Sequence, residues 1–191
     1  MEPAFKLVSG EVTLRPLQLR DWRDLESILM SERPWLEPWE ATVPGGSRLL
    51  DVKGMVRSLL RQHRDGSALA TVIVVDSKIV GQVNAANILY GSVSSGSIGY
   101  WISEKYAGRS ITPTAVALVS DYMFNQMRLH RVEIAIRPEN LASLRIVEKL
   151  GFRFEGVKQR YIHINGDWRD HKIFALTRDE AKNGVISRLG R

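Results

Sequence analysis

The chain has 191 residues, enough for one domain with a real core, and its 44% apolar and 25% charged residues are those of an ordinary soluble globular protein. It contains no cysteine, which excludes disulfides, zinc–thiolate and iron–sulfur centres and a cysteine nucleophile, and which fits a reducing cytoplasm. A net charge of +6 favours a polyanionic partner such as phosphate, nucleotide or RNA, although the basic residues look scattered and only Lys158, Arg160, Arg169 and Lys172 are locally enriched.

The opening MEPAFKLVSG lacks the basic and apolar regions of a signal peptide, and no apolar run approaches the roughly 18 residues of a membrane helix. Glu11 to Pro16 alternates as a strand. Asp21 reads as an N-cap for a helix through Met30, with Trp22, Leu25, Ile28 and Leu29 on one face. Glu32 to Ser47, with Pro34, Pro38, Pro44, Trp35 and Trp39, reads as a loop whose rings either cover something apolar or pin it to the core. A helix follows from Arg48 to Gln62, ended by Asp65-Gly66. Ala68 to Val75 is a buried strand, Asp76-Ser77 a turn, Lys78 to Tyr90 a second strand, and Gly91 to Gly96 a loop.

The next stretch, Gly99 to Thr114, reads as a strand (Ser97 to Ile102), a glycine-centred turn and a helix start, with Pro113 in the first turn. Gly108-Arg109-Ser110 stands where backbone N–H groups and the positive end of a helix dipole meet an anion. That helix ends near Met127. His130 to Ile136 is a strand and Asn140 to Leu150 an amphipathic helix stopped by Gly151. Strands around Val157 to Ile164 and Trp168 to Leu176 join at Asn165-Gly166, and Thr177 to Asn183 closes with a short helix. Hairpins mixed with helical crossovers imply a single α/β domain on a mixed sheet. A doubly wound dinucleotide fold is excluded by the order, and neither GxGxxG nor GxxxxGK[ST] occurs.

Gly99-Tyr100-Trp101-Ile102, Gly108-Arg109, Arg137-Pro138-Glu139-Asn140 with Ser143, Lys149-Leu150-Gly151-Phe152, Glu155-Gly156 and Asp167 to His171 stand in an order that closely resembles the GCN5-related N-acetyltransferases. The RimJ/RimL-type ribosomal-protein-alanine enzymes are the nearest subgroup, and the resemblance runs from about Val12 to Leu176. It implies a mostly antiparallel sheet, splayed at its centre and flanked by helices, and acetyl-CoA as co-substrate with no metal. The family's pyrophosphate loop, Gln/Arg-x-x-Gly-x-Gly/Ala, falls on Ala107, Ser110 and Thr112, and all three depart from it. A serine in ordinary helical conformation would still present its N–H, and Thr112 stands where an N-cap would help.

The resemblance implies that Trp101 and Ile102 hold the pantetheine arm and the thioester oxygen through the backbone. Tyr106, Ala107, Gly108, Arg109, Ser110, Ile111 and Thr112 would hold the pyrophosphate, and Asn140 would contact the cofactor arm while capping its helix. Ser143 and Tyr161 are the candidate proton donors to the departing thiolate. A related subgroup carries a glutamate base where Ile162 stands here; His163 is a weaker substitute on the opposite strand face, and His171 is structural, paired with Asp170 or a carbonyl. The expected acceptor is a protein N-terminal α-amine, whose pKa near 8 leaves about 10% neutral at pH 7, so that it needs little help from a base. A small amine such as an antibiotic or polyamine, or an acyl-CoA-binding module without turnover, is the alternative. Direct nucleic-acid binding and a membrane partner are not expected, and the chain would be a monomer or homodimer.

Overall fold

In the computed structural model, which describes residues 5–46 and 50–190, eight strands form one sheet in the order β1-β2-β3-β4-β5-β6-β8-β7. They are β1 (Leu7–Ser9), β2 (Val12–Pro16), β3 (Thr71–Val75), β4 (Lys78–Leu89), β5 (Ser95–Ile102), β6 (Arg131–Ile136), β7 (Arg153–Ile164) and β8 (Asp167–Thr177). Neighbours run antiparallel except β5 and β6, which are parallel. That parallel contact is short: Ser95 to Ser97 pair with Arg131 to Glu133, and both strands then run on unpaired to Ile102 and Ile136. The expected sheet, mostly antiparallel and opened at its centre, is the one observed.

Strand alternation assigns the two faces. Helices α1 (Trp22–Ser31), α2 (Arg33–Leu36) and α3 (Val52–Arg64) pack on one face around Leu25, Leu29, Val56 and Val72, with Trp101 beside them. Helices α4 (Ile111–Asn125) and α5 (Leu141–Lys149) cover the other around Ile98, Ile134, Val147 and Phe174, with Tyr100 beside them. α4 is apolar nearly all round because the sheet, α5 and the C-terminal turns enclose it.

Several boundaries differ from the sequence reading. β1 precedes the first expected strand. Pro34 and Pro38 start helical turns inside the expected loop, because a missing N–H costs nothing there. Asp21 does not cap α1 with its side chain; it is buried, accepting from the Arg15 guanidinium at 2.7 and 2.9 Å and from the Gln18 N–H. α3 begins at Val52, where Asp51 accepts from the Gly54 N–H at 2.8 Å; Ser47, Arg48 and Leu49, on which the loop end and helix start were expected, lie outside the described residues. β5 starts at Ser95 and α4 stops at Asn125, followed by Arg128 at φ 57°. β7 begins already at Arg153, and the closing helix is a 3-10 turn. The Asn165-Gly166 hairpin forms as expected, both residues at positive φ.

Candidate active site at the opening of the sheet

Hydrogen-bond parity decides which backbone groups face the opening. Ala85 of β4 exchanges both its bonds with Leu69, so its opposite number Ile98 is free of β4. Alternation then commits Gly99 and Trp101 to β4 and turns the N–H and C=O of Ile98, Tyr100 and Ile102 toward β6. The Ser103 N–H donating to Val80, and the Ile102 carbonyl accepting from the Trp35 indole at 2.9 Å, obey the same parity. Of the two candidate donors Trp101 and Ile102, the free N–H is that of Ile102. The Trp101 indole instead donates to Gln82 at 3.2 Å on the α1/α3 face.

Beyond β5 the chain makes one 3-10 turn, in which Tyr106 and Ala107 donate to Ser103 and Glu104, and enters α4 through Gly108 (φ 76°) and Ser110 (φ 60°, ψ 10°). Among the described residues, the N–H groups of Gly108, Arg109, Ser110, Ile111 and Thr112 have no acceptor in the protein. Five successive unpaired donors at the N-terminus of a 15-residue helix form an anion cradle. Three expectations are corrected here. Tyr106 and Ala107 have no free N–H for a pyrophosphate, because the 3-10 turn uses both. Ser110 is left-handed, not helical, because this conformation lets the backbone turn into the helix, and that explains why glycine suits the position. Thr112 is no N-cap: Ser110 holds that place, and Thr112 is buried in the first turn. The Arg109 guanidinium lies over the Tyr106 ring and pairs with Glu11 at 2.8 Å; both partners are exposed, so the pair is weak.

The helix that follows β6 brings its N-terminus to the same face. Asn140 caps α5, accepting from the Ser143 N–H at 3.0 Å, as the sequence predicts. The Ser143 hydroxyl lies beside Tyr100, whose own hydroxyl is sealed from solvent and lacks a partner of good geometry. Burial pushes the Tyr100 phenol up to about 12, against a smaller opposing effect of Ser143, so it stays neutral. Sequence reasoning saw Tyr100 only as part of a motif; its orphaned hydroxyl emerges only when β5 and α5 are brought together.

Tyr161 lies on the opposite face. It is 41% exposed, sits edge-on to His171 at 6.1 Å between ring centres, and has the Lys158 ammonium 4.5 Å from its ring centre. Ser143 and Tyr161 are therefore on different sides of the sheet. His171 is buried and bonds the Arg169 carbonyl through Nδ1 at 3.0 Å, the structural role expected of it. No group of three or more His, Asp or Glu able to hold a metal occurs among the described residues.

On that same face the segment 32–42 straps the opening. Glu32 accepts from the Ser103 hydroxyl and the Glu104 N–H at 2.6 and 2.8 Å, fixing one end to β5. Trp35 binds Ile102, and Arg137, at the end of β6, donates to the Pro38 carbonyl at 2.7 Å while stacking on Trp39. Thr42 then joins His163 at 2.7 Å, and Ala41 bridges Ile164 of β7. Both readings of the tryptophans hold in part: Trp35 pins the strap to the core, whereas Trp39 is 39% exposed over the opening.

A central parallel opening between otherwise antiparallel strands, with an anion cradle at the helix after one of them, defines a CoA-dependent acyltransferase fold. Residues 11–153 match the acetyltransferase (GNAT) domain family, and the chain belongs to it: it is an acetyl-CoA-dependent N-acetyltransferase. It is 31% identical over 186 residues to the ribosomal protein uS5-alanine N-acetyltransferase of Escherichia coli (strain K12), covering 92% of each chain. It is 39% identical over 101 residues to the probable N-acetyltransferase YjcK of Bacillus subtilis (strain 168), spanning 53% of this chain but only 56% of that protein. The structure of Mycobacterium smegmatis RimJ in complex with CoA-disulfide superposes with a TM-score of 0.87 at 34% identity, covering 94% of this chain and 88% of that one.

Proposed function

We propose that the chain acetylates the N-terminal α-amine of a protein, a ribosomal protein first among them, with acetyl-CoA as donor. The observation that carries this reading is the end-to-end match with an enzyme that acts on alanine of ribosomal protein uS5. The site agrees with it: Ile162 stands where a related subgroup has a carboxylate base, and an α-amine is the acceptor that needs one least.

The residues present fit the co-substrate. The five free N–H groups from Gly108 to Thr112 would take the pyrophosphate, and the backbone edge at Tyr100 and Ile102, beyond the last pair with β6, would take the pantetheine as an added strand. Bound acetyl-CoA supplies a thioester whose carbonyl carbon the amine attacks as the carbon–sulfur bond breaks. The Ile102 N–H is aimed into the opening and stabilises negative charge developing on the carbonyl oxygen. Ser143 donates a hydrogen bond to the departing thiolate, and the proton that the thiolate takes up is the one the amine sheds through water. Tyr100, kept neutral by burial, stands beside Ser143 with its hydroxyl unpartnered, and would donate to the Ser143 oxygen when that hydroxyl turns to the sulfur. Asn140 fixes the helix turn from which Ser143 projects. Tyr161 and the strap face the incoming acceptor, and water takes the amine's proton.

Purified protein, acetyl-CoA and a decapeptide starting with alanine test the reading, with mass spectrometry locating the label. The α-amine is acetylated, and the same peptide with a blocked N-terminus is not. Faster acetylation of spermidine or of an internal lysine would refute the assignment. Ser143→Ala lowers kcat about 10²-fold and Tyr100→Phe by less, while neither changes the KM for the peptide more than about twofold. A kcat within threefold of the parent for Ser143→Ala would remove Ser143 from the mechanism.

A further inference from the structure

The basic residues that look scattered in the sequence are brought together by α3. Lys53, Arg57, Arg61 and Arg64 follow one another at helical spacing, all exposed, in a stripe beside the buried Val52 and Val56. Arg20, in the 3-10 turn before α1, and Arg23, in the first turn of α1, extend it, since α3 packs against the turn containing Leu19 and Arg20. Leu19, Arg57, Leu60, Arg61 and Arg64 line a groove of about 410 Å³. At its edge Trp22 is half-buried, with the Arg23 and Lys53 cations 5.2 and 5.4 Å from its ring centre.

Among the described residues none of these six cations pairs with a carboxylate. Elsewhere Arg15, Arg33, Arg131 and Arg153 each hold an Asp or Glu, and the other arginines without a carboxylate partner among the described residues, such as Arg128, Arg145 and Arg178, do not line up along one helix. The enriched tail is also partly neutralised, with Arg160 and Arg169 sharing Asp167. The acidic residues nearest the stripe in sequence are Asp51 and Asp65 at the two ends of α3, Asp24 and Glu26 after Arg23, and Asp21, which Arg15 holds.

We propose that this stripe docks the sugar–phosphate backbone of RNA. Five of the six cations are arginine, whose planar fork matches phosphate oxygens. Four-residue steps along a helix place successive cations about 6 Å apart, a repeat suited to consecutive phosphates on a strand. The groove's apolar lining is only Leu19 and Leu60, too little for a lipid surface. The stripe lies on the α1/α3 face, the side on which the strap covers the opening, so RNA held there lies on the acceptor side. The choice of RNA over other polyphosphates rests on the ribosomal acceptor proposed above.

Fluorescence anisotropy with the full chain and a labelled 12-nucleotide single-stranded RNA tests this. Binding weakens steeply between 50 and 200 mM salt, at about 0.7 log unit per log unit of salt for each phosphate contacted. Arg57→Glu/Arg61→Glu/Arg64→Glu weakens it at least tenfold at 50 mM salt and lowers the slope by about 2. Arg178→Glu/Lys182→Glu, on the far edge, leaves binding within twofold. RNA binding by the triple variant within twofold of the parent would overturn the proposal, as would equal or tighter binding of poly-aspartate or phosphatidylserine vesicles. Thermal stabilisation of each variant by acetyl-CoA shows that it is folded and loaded. Acetylation of the alanine decapeptide, measured on the same variants and unchanged in them, separates failure of this proposal from failure of the ribosomal one.

Discussion

Ser110 shows what one residue at a helix entrance decides. At φ 60° it sits in a region that costs a residue bearing a Cβ roughly 1–2 kcal/mol, whereas glycine enters it freely at a larger entropic cost of ordering. The two effects nearly cancel, so Ser110→Gly shifts the melting temperature little and keeps the cradle. A β-branched side chain has no such latitude. Isothermal titration with acetyl-CoA checks both: Ser110→Gly binds within about twofold of the parent, and Ser110→Val at least tenfold more weakly. Equal binding by the valine variant would show that the left-handed turn does not set the cradle. The departure from the family's glycine was visible in the sequence, but its consequence was not, because φ follows from how the chain must leave β5 to enter α4.

The elements themselves were largely legible, and the reasons are local. β3, β4, β6 and α5 announce themselves through periodicity, and Asn140 and Gly166 through the chemistry of caps and turns. What stayed hidden were pairings between distant segments. No local pattern shows that 32–42 straps the opening, that Tyr100 meets Ser143, or that the parity of β4 frees Ile102 and not Trp101. The strap also carries a prediction. Arg137 joins the end of β6 to the Pro38 carbonyl and the Trp39 face, and its side chain is only 16% exposed. A hydrogen bond from a charged group is worth about 1.5–3 kcal/mol, so its loss frees the middle of the strap. Arg137→Ala raises the peptide KM about tenfold, with kcat within threefold and acetyl-CoA affinity unchanged. A fall in kcat with constant KM would mean that Arg137 serves the chemistry and not the acceptor.

At the scale of the whole molecule, the sheet separates two tasks: the free N–H cradle, Tyr100 and Ser143 on the α4/α5 face, and the strap, Tyr161 and His171 on the other. His171 ties the second face to stability. Burial holds its imidazole below the ordinary 6.5, aided by the Arg137 charge and opposed by the Arg169 carbonyl, Glu139 and Asp170. The unfolded chain thus binds a proton more readily than the folded one, so His171 lends stability that is complete above pH 6.5 and lost as pH falls through its folded value. Glu155 and Glu180 act in a separate window: both are held below 4.5, Glu155 chiefly by Arg131 and Glu180 by its hydrogen bonds from Thr177, so their contribution is lost only at lower pH. Scanning calorimetry from pH 7.5 to 3 therefore shows two descents in melting temperature, the first beginning near pH 6.5. His171→Phe keeps a ring against Tyr161 but cannot take up a proton, so it abolishes the first descent and leaves the second. A first descent that survives in this variant would place the titrating group elsewhere, and peptide KM followed over the same range shows whether protonation of His171 also loosens the strap held by Arg137.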